Sequence, residues 1–226
     1  EPDRAATVSQ GDVVVYTHTL TNSGDLRDTF DLTFSSSQSW GELVASSPIT
    51  LDAYMTATVR VSVTVPAEGV GGQEDVSVVT ATSRIGVAVF DTATDVTTVE
   101  MNPGLEFEPD RAGNADPGAV VVYTHTLTNT GDGPDVFTLT HHSSQGWPVT
   151  YDSSLAVGYD DSATVTISVT VPSDAISGTL DRTTITATSQ SDSSVAESVL
   201  DATTVNRTYG VELAPDRSQG VDVGVE

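Results

Sequence analysis

The sequence predicts an all-β chain of two tandem β-sandwich modules followed by the first strand of a third, and three observations predict it. A segment of about 107 residues is written twice. Within each copy, apolar and polar residues alternate with a period of two along runs rich in Val and Thr. Turn residues interrupt these runs at short intervals, and no stretch keeps helical spacing with caps.

The repeat is plain where Val13-Val14-Val15-Tyr16-Thr17-His18-Thr19-Leu20-Thr21-Asn22 returns as Val120-Val121-Val122-Tyr123-Thr124-His125-Thr126-Leu127-Thr128-Asn129. It continues through Phe30 and Phe137, Trp40 and Trp147, Pro66 and Pro172, and Ser83 and Ser189, the offset slipping from 107 to 106. Such a period is a whole domain, too long for a solenoid turn. In the first strand Val14, Tyr16, His18 and Leu20 share one face, with Val13, Val15, Thr17 and Thr19 on the other. Asn22-Ser23-Gly24-Asp25 then turns the chain. Further strands are expected over 29–35, 55–65, 76–83 and 86–99, with short pieces over 40–44 and 49–51. Pro66 and the glycines at 69–72 break the long strand, as Pro172 and Gly178 do in the second copy. Seven or so short strands per hundred residues is the pattern of an Ig-like β-sandwich. Module bounds fall at 1–99 and 105–205, joined by Glu100-Met101-Asn102-Pro103-Gly104. Tyr16, Leu20, Phe30 and Trp40, with Tyr123, Leu127, Phe137 and Trp147, are the expected cores.

Charge narrows the function. Asp and Glu number 32 against 8 cations, all of them Arg, for a net charge of −24. That surface repels nucleic acid and anionic membranes, and salt or divalent cations must screen it, which suits a saline or calcium-rich exterior better than cytoplasm. Asp outnumbers Glu 22 to 10, the balance of a loop-rich β protein. With no Cys, core packing or bound ions must replace disulfides. No apolar run is long enough to span a membrane as a helix.

Chemistry-bearing residues are sparse. His18 and His125 occupy equivalent strand positions on an apolar face and read as core histidines, since no second ligand sits at i+2 or i+4. His141-His142 reads as a solvated loop. No nucleophile elbow, P-loop, dinucleotide fingerprint or HExxH helix is present, so no enzyme is expected. The carboxylates that recur in the turn after the first long strand, Asp25 and Asp28 with Asp132 and Asp135, are the candidate calcium ligands, Asn22 or Asn129 supplying a further oxygen. Against this, an Asp in a turn also caps its own backbone. Pro-Asp-Arg, at 2–4, 109–111 and 215–217, reads as a strand-entry turn with an Asp–Arg contact. Trp40 and Trp147 would stack on sugar if exposed, and anchor the core if not. Asn206-Arg207-Thr208 is a glycosylation sequon.

Gly11 to Asp25, then Asp28-Thr29-Phe30, Trp40, Val63-Thr64-Val65-Pro66 and Thr80-Ala81-Thr82-Ser83, with their partners Gly118, Tyr123, Asn129, Phe137, Trp147, Pro172 and Ser189, resemble the Ig-like repeats of large bacterial and archaeal surface proteins. The nearest resemblance is to the NPCBM-associated Ig-like domain, a neighbour of the CARDB adhesion repeats. The resemblance implies an extracellular stalk, filament or accessory module.

Residues 209–226 begin a third copy, because Val211-Glu212-Leu213-Ala214-Pro215-Asp216-Arg217 repeats Leu105-Glu106-Phe107-Glu108-Pro109-Asp110-Arg111. Val211, Leu213, Val221, Val223 and Val225 are the expected apolar face of a strand that pairs with another module, in a longer array or in a neighbouring subunit. The expected function is a structural surface or filament protein whose partner is itself, assembling head to tail. Alternatives are a calcium- or carbohydrate-dependent adhesion module and an accessory domain of a secreted hydrolase.

Screening of self-repulsion predicts that the melting temperature rises as sodium chloride is raised from about 0.1 to 1 M, where the Debye length shrinks from about 10 to 3 Å. An unchanged or falling value overturns this. Calcium compared with sodium at matched ionic strength separates screening from ligation, since equal shifts reject a dedicated site at the turn aspartates.

Overall fold

The computed structural model describes residues 3–86, 88–207 and 209–214, all of their regular structure being β. The first module comprises β1 (Arg4–Val8), β2 (Val13–Thr21), β3 (Asp28–Ser36), β4 (Gly41–Leu43), β5 (Ile49–Leu51), β6 (Thr56–Thr64), β7 (Glu74–Ser83) and β8 (Phe90–Val99). The second comprises β9 (Leu105–Glu108), β10 (Arg111–Ala115), β11 (Val120–Asn129), β12 (Asp135–Ser143), β13 (Val149–Thr150), β14 (Ser154–Val157), β15 (Ser162–Thr170), β16 (Leu180–Ser189) and β17 (Ala196–Val205). Each module is an Ig-like sandwich. Its larger sheet runs β1-β8-β7-β3-β5 or β10-β17-β16-β12-β14, and its smaller runs β2-β6-β4 or β13-β15-β11-β9.

Period-two alternation puts one face of each strand in the core. Tyr16 and His18 of β2 are buried between exposed neighbours, as are Val59 and Val61 of β6. Strands β1 and β10 carry no such alternation and escape a reading by pattern. Parallel pairing holds them, Arg4 opposite Asp95 and Arg111 opposite Asp201. The Asp of Pro-Asp-Arg makes that docking possible. Asp3 accepts from the Thr94 amide at 2.9 Å and Asp110 from the Leu200 amide at 2.8 Å, so these carboxylates fasten to backbone rather than to the expected Arg. His141 and His142 lie exposed on β12 rather than in a loop, His141 bonding the Tyr151 hydroxyl at 2.9 Å.

Buried polar staples recur in both copies. Asp75 accepts from Ser36, Ser77 and the Gln38 amide. Asp181 accepts from Ser143, Ser144, Thr183 and the Gln145 amide. Burial raises the pKa of Asp181, but these four donors together outweigh it and hold the carboxyl below its ordinary range. Tyr16 and Tyr123 reach across the sandwich to Thr97 and Thr203, and burial pushes both phenols above their ordinary pKa.

The cores differ in closure. Leu127 and Phe137 are fully buried and Trp147 is 6% exposed. In the first copy Leu20 and Trp40 are only half-buried and pack at the margin of the cluster. The expectation of matched cores therefore holds for Tyr16 and Phe30 and falls short at Leu20 and Trp40. Among the described residues none covers Leu20 as β9 covers Leu127.

Trp147→Ala is expected to cost the second module about 3–5 kcal/mol, a large core truncation, and Trp40→Ala less. Guanidinium melts followed by circular dichroism check this, and equal losses would refute the difference in closure.

Candidate assembly interface

The edge of β11 shows what closure requires. Strand β9 pairs antiparallel to it, Phe107 opposite Leu127 and Leu105 opposite Asn129. Leu105 and Phe107 point inward and are buried, whereas Glu106 and Glu108 face solvent. The Phe107 amide donates to the Glu197 carboxylate at 2.9 Å, tying β9 to the other sheet. The Phe107 ring meets His125 edge-on, with centroids 5.7 Å apart. Because a carbonyl only accepts, His125 Nδ1 donates to the Pro109 oxygen at 2.8 Å, while Nε2 pairs with buried Asp201.

The same edge of the first module differs. Among the described residues no strand pairs with β2 on the side away from β6. One cleft there is lined by Leu20, Leu32, Val59, Val79 and Ala93 beside His18, and another runs past Asn22 and Phe30 to Phe90. His18 bonds Asp95 through Nε2 at 2.9 Å, and its Nδ1 has no partner among the described residues. The hairpin between β7 and β8 borders this opening with Ile85, Val89 and Phe90, which are 68%, 65% and 64% exposed. The matching positions of the closed module are Ser191, Val195 and Ala196. Ile85 and Phe90 thus make this hairpin more apolar in the first module, whereas the valine is common to both copies.

The turn aspartates serve the protein itself. Asp28 accepts from Ser83 and from the Thr29 amide, and the Ser83 bond holds its pKa below the ordinary value. Asp135 accepts from Ser189, Ser191 and the Val136 amide. Asp25 is exposed. Among the described residues no group of three or more acidic or histidine side chains is placed to hold a metal. Asn22 and Asn129 are buried and anchor the turn: Asn129 donates to the Gly133 and Val157 carbonyls and accepts from the Gly131 amide.

Asp132 does something its sequence position did not announce. Its carboxylate accepts from the Asn102 amide at 2.8 Å and side chain at 2.9 Å, and from Gln10 of the first module at 3.3 Å. Its carbonyl accepts from the Gly71 amide at 2.8 Å. One turn of the second module thus clasps both the linker and the base of the first. The glycines are required by proximity, since a Cβ on Gly133 would sit 2.5 Å from the Gly71 oxygen. Sequence reasoning found Asp132 but not this role, because its partners come from three separate segments.

Neither indole offers a sugar platform, Trp147 being buried and Trp40 packed against the core. Asn206 is exposed and donates to Asp116 at 2.7 Å. Val211 and Leu213 are each 92% exposed and lie in no strand, while Val221, Val223 and Val225 fall outside the described residues.

Residues 105–205 match a family model described as the VWA7 Ig-like domain. The match agrees with the Ig-like strand order of the second module, and it gives no support to the narrower resemblance to the NPCBM-associated repeats. No curated protein matches the chain. Similar solved structures include a protein of unknown function from Porphyromonas gingivalis W83, 13% identical over 88% of this chain and 94% of that one, with a TM-score of 0.38. The D0-D1 domain of intimin is 15% identical over 89% of this chain and 94% of that one, with a TM-score of 0.31. The titin fragment I67-I69 is 10% identical over 89% of this chain and 62% of that one, with a TM-score of 0.39.

Asp132→Ala is expected to leave both modules folded and to free the joint, with a loss of about 1–3 kcal/mol of coupling. Spin labels on the two modules should report a broadened distance distribution, and Asp25→Ala should change nothing. An unchanged distribution in Asp132→Ala overturns the clasp.

Proposed function

We propose that the chain is a non-enzymatic structural repeat module of the cell exterior, part of a surface stalk or extracellular filament in which Ig-like modules follow one another head to tail. The observation that carries this reading is the Asp132 clasp. A turn at the head of one copy grips the linker and the base of the copy before it, so the repeat contains the means of its own stacking. Short linkers gripped at both ends hold the direction of successive modules and suit a load-bearing array.

Composition supports the setting. A net charge of −24 keeps such an array soluble and apart from its neighbours, and it disfavours nucleic acid as a partner. Among the described residues no helix is long and apolar enough to cross a membrane. Two sandwiches stapled by buried Asp–Ser and Asp–Thr bonds need no disulfide, consistent with the absence of Cys.

Immunogold labelling of intact producing cells with antibodies against residues 1–207 tests the reading. Gold is expected on extended structures at the surface. Labelling that appears only after permeabilisation would overturn it.

A further inference from the structure

We propose that the outer face of the larger sheet of the second module is a lateral contact surface, and that its occupant is the same face of a second copy of this chain. The inference rests on the array reading for its setting and adds a contact between chains to stacking along them.

The alternation that buries one side of β10, β17, β16, β12 and β14 turns the other side outward. On the central strand β16 the outward positions are Leu180, Arg182, Thr184, Thr186 and Thr188. Thr140 of β12 and Ser198 of β17 flank Thr186 in one row. No outward position of these five strands is Asp or Glu, in a chain that carries 32 of them. The fixed charge the face does hold is Arg182, with His142 on the strand beside it.

The first module shows that the fold does not require this composition. Its equivalent face carries Glu74 and Asp31, the latter paired with Arg84, where the second module has Leu180 and Thr138. Clearing carboxylates from a face matters where that face approaches another acidic body, because like charges brought together oppose contact. The acidic body at hand in an array is the chain itself, with its net charge of −24. Two copies that meet through these faces set no carboxylate of one face against a carboxylate of the other.

The polar groups of the face tolerate being covered. The Thr186 and Ser198 hydroxyls bond each other at 2.8 Å, and the Gln190 side-chain amide donates to the Thr138 hydroxyl at 3.0 Å, so these groups keep partners when water leaves. Threonine methyls, with Leu180 and Leu200, supply apolar area. At about 3.4 Å per residue along β16 and about 4.8 Å between strands, the face measures roughly 500 Å², so a pair buries about 1,000 Å², the threshold of a specific contact. A two-fold axis crossing the strands at Thr186 keeps the two Arg182 side chains on opposite sides of it. Such a contact is isologous and closes as a pair. Repetition along two neighbouring arrays then multiplies a contact that is weak by itself.

Sedimentation equilibrium of the whole chain in about 1 M sodium chloride, which screens the remaining repulsion, is expected to show a reversible species of twice the 23.5 kDa chain. Thr186→Glu is expected to weaken the pair at least about tenfold. Thr80→Glu, the same change at the equivalent position of the first module, is expected to leave it unchanged, and circular dichroism melts check that both variants fold. The chain has no Cys, so Thr186→Cys treated with a bis-maleimide that spans the ~10 Å between face-packed sheets is expected to give a covalent dimer, and Thr80→Cys none. A chain that stays monomeric at about 1 mM, equal effects of the two glutamates, or equal cross-linking from the two cysteines each overturns the proposal. Surface labelling of cells by a protein that stays monomeric sinks the lateral pair alone, and a Thr186-dependent pair without surface labelling sinks only the cell-exterior reading.

Discussion

A β-sandwich of this size keeps its core dry only if something lies along the edge where its two sheets part. In the second module that element is four residues long. Strand β9 inserts Leu105 and Phe107, and behind them Leu127 and Phe137 reach complete burial. In the first module, where the described residues supply no such strand, the equivalent Leu20 is half-buried and clefts lie beside His18 and Phe30. Core packing and the fit of the histidine both differ with this strand, His125 donating to the Pro109 oxygen where the His18 Nδ1 has no partner among the described residues.

Polar residues complete what the apolar ones begin. A buried carboxylate is tolerable only when donors surround it, and Asp75 and Asp181 each gather hydroxyl and amide donors from the strand corner they bridge. The histidine and aspartate pairs on the facing sheets do related work, joining β2 to β8 and β11 to β17 through the interior. These contacts link the two sheets of each sandwich without a disulfide.

The acidic surface and the joint between modules act at different ranges. Repulsion among many carboxylates is long-ranged and yields to salt, whereas the Asp132 clasp is a set of short hydrogen bonds at one turn. At the joint a single carboxylate does this work, and its role depends on which loops the fold brings beside it. Its counterpart Asp25 is exposed in the same turn of the first module.

By itself the sequence determined the two-module plan, the all-β class, most strands and the buried faces, because alternation and turn residues are local and each copy repeats the evidence of the other. Tyr16, Phe30 and Trp147 were legible in that way. Strands β1 and β10 were not, since parallel pairing with a distant strand rather than their own pattern makes them strands. Only the tertiary structure decided that Asp28 and Asp135 turn to serines, that Asp132 grips the linker, that Asp75, Asp95, Asp181 and Asp201 lie in the interior, and that Leu20 borders an open groove. Each of these depends on which atoms distant segments bring together, and a period-two pattern carries no information about contacts between segments.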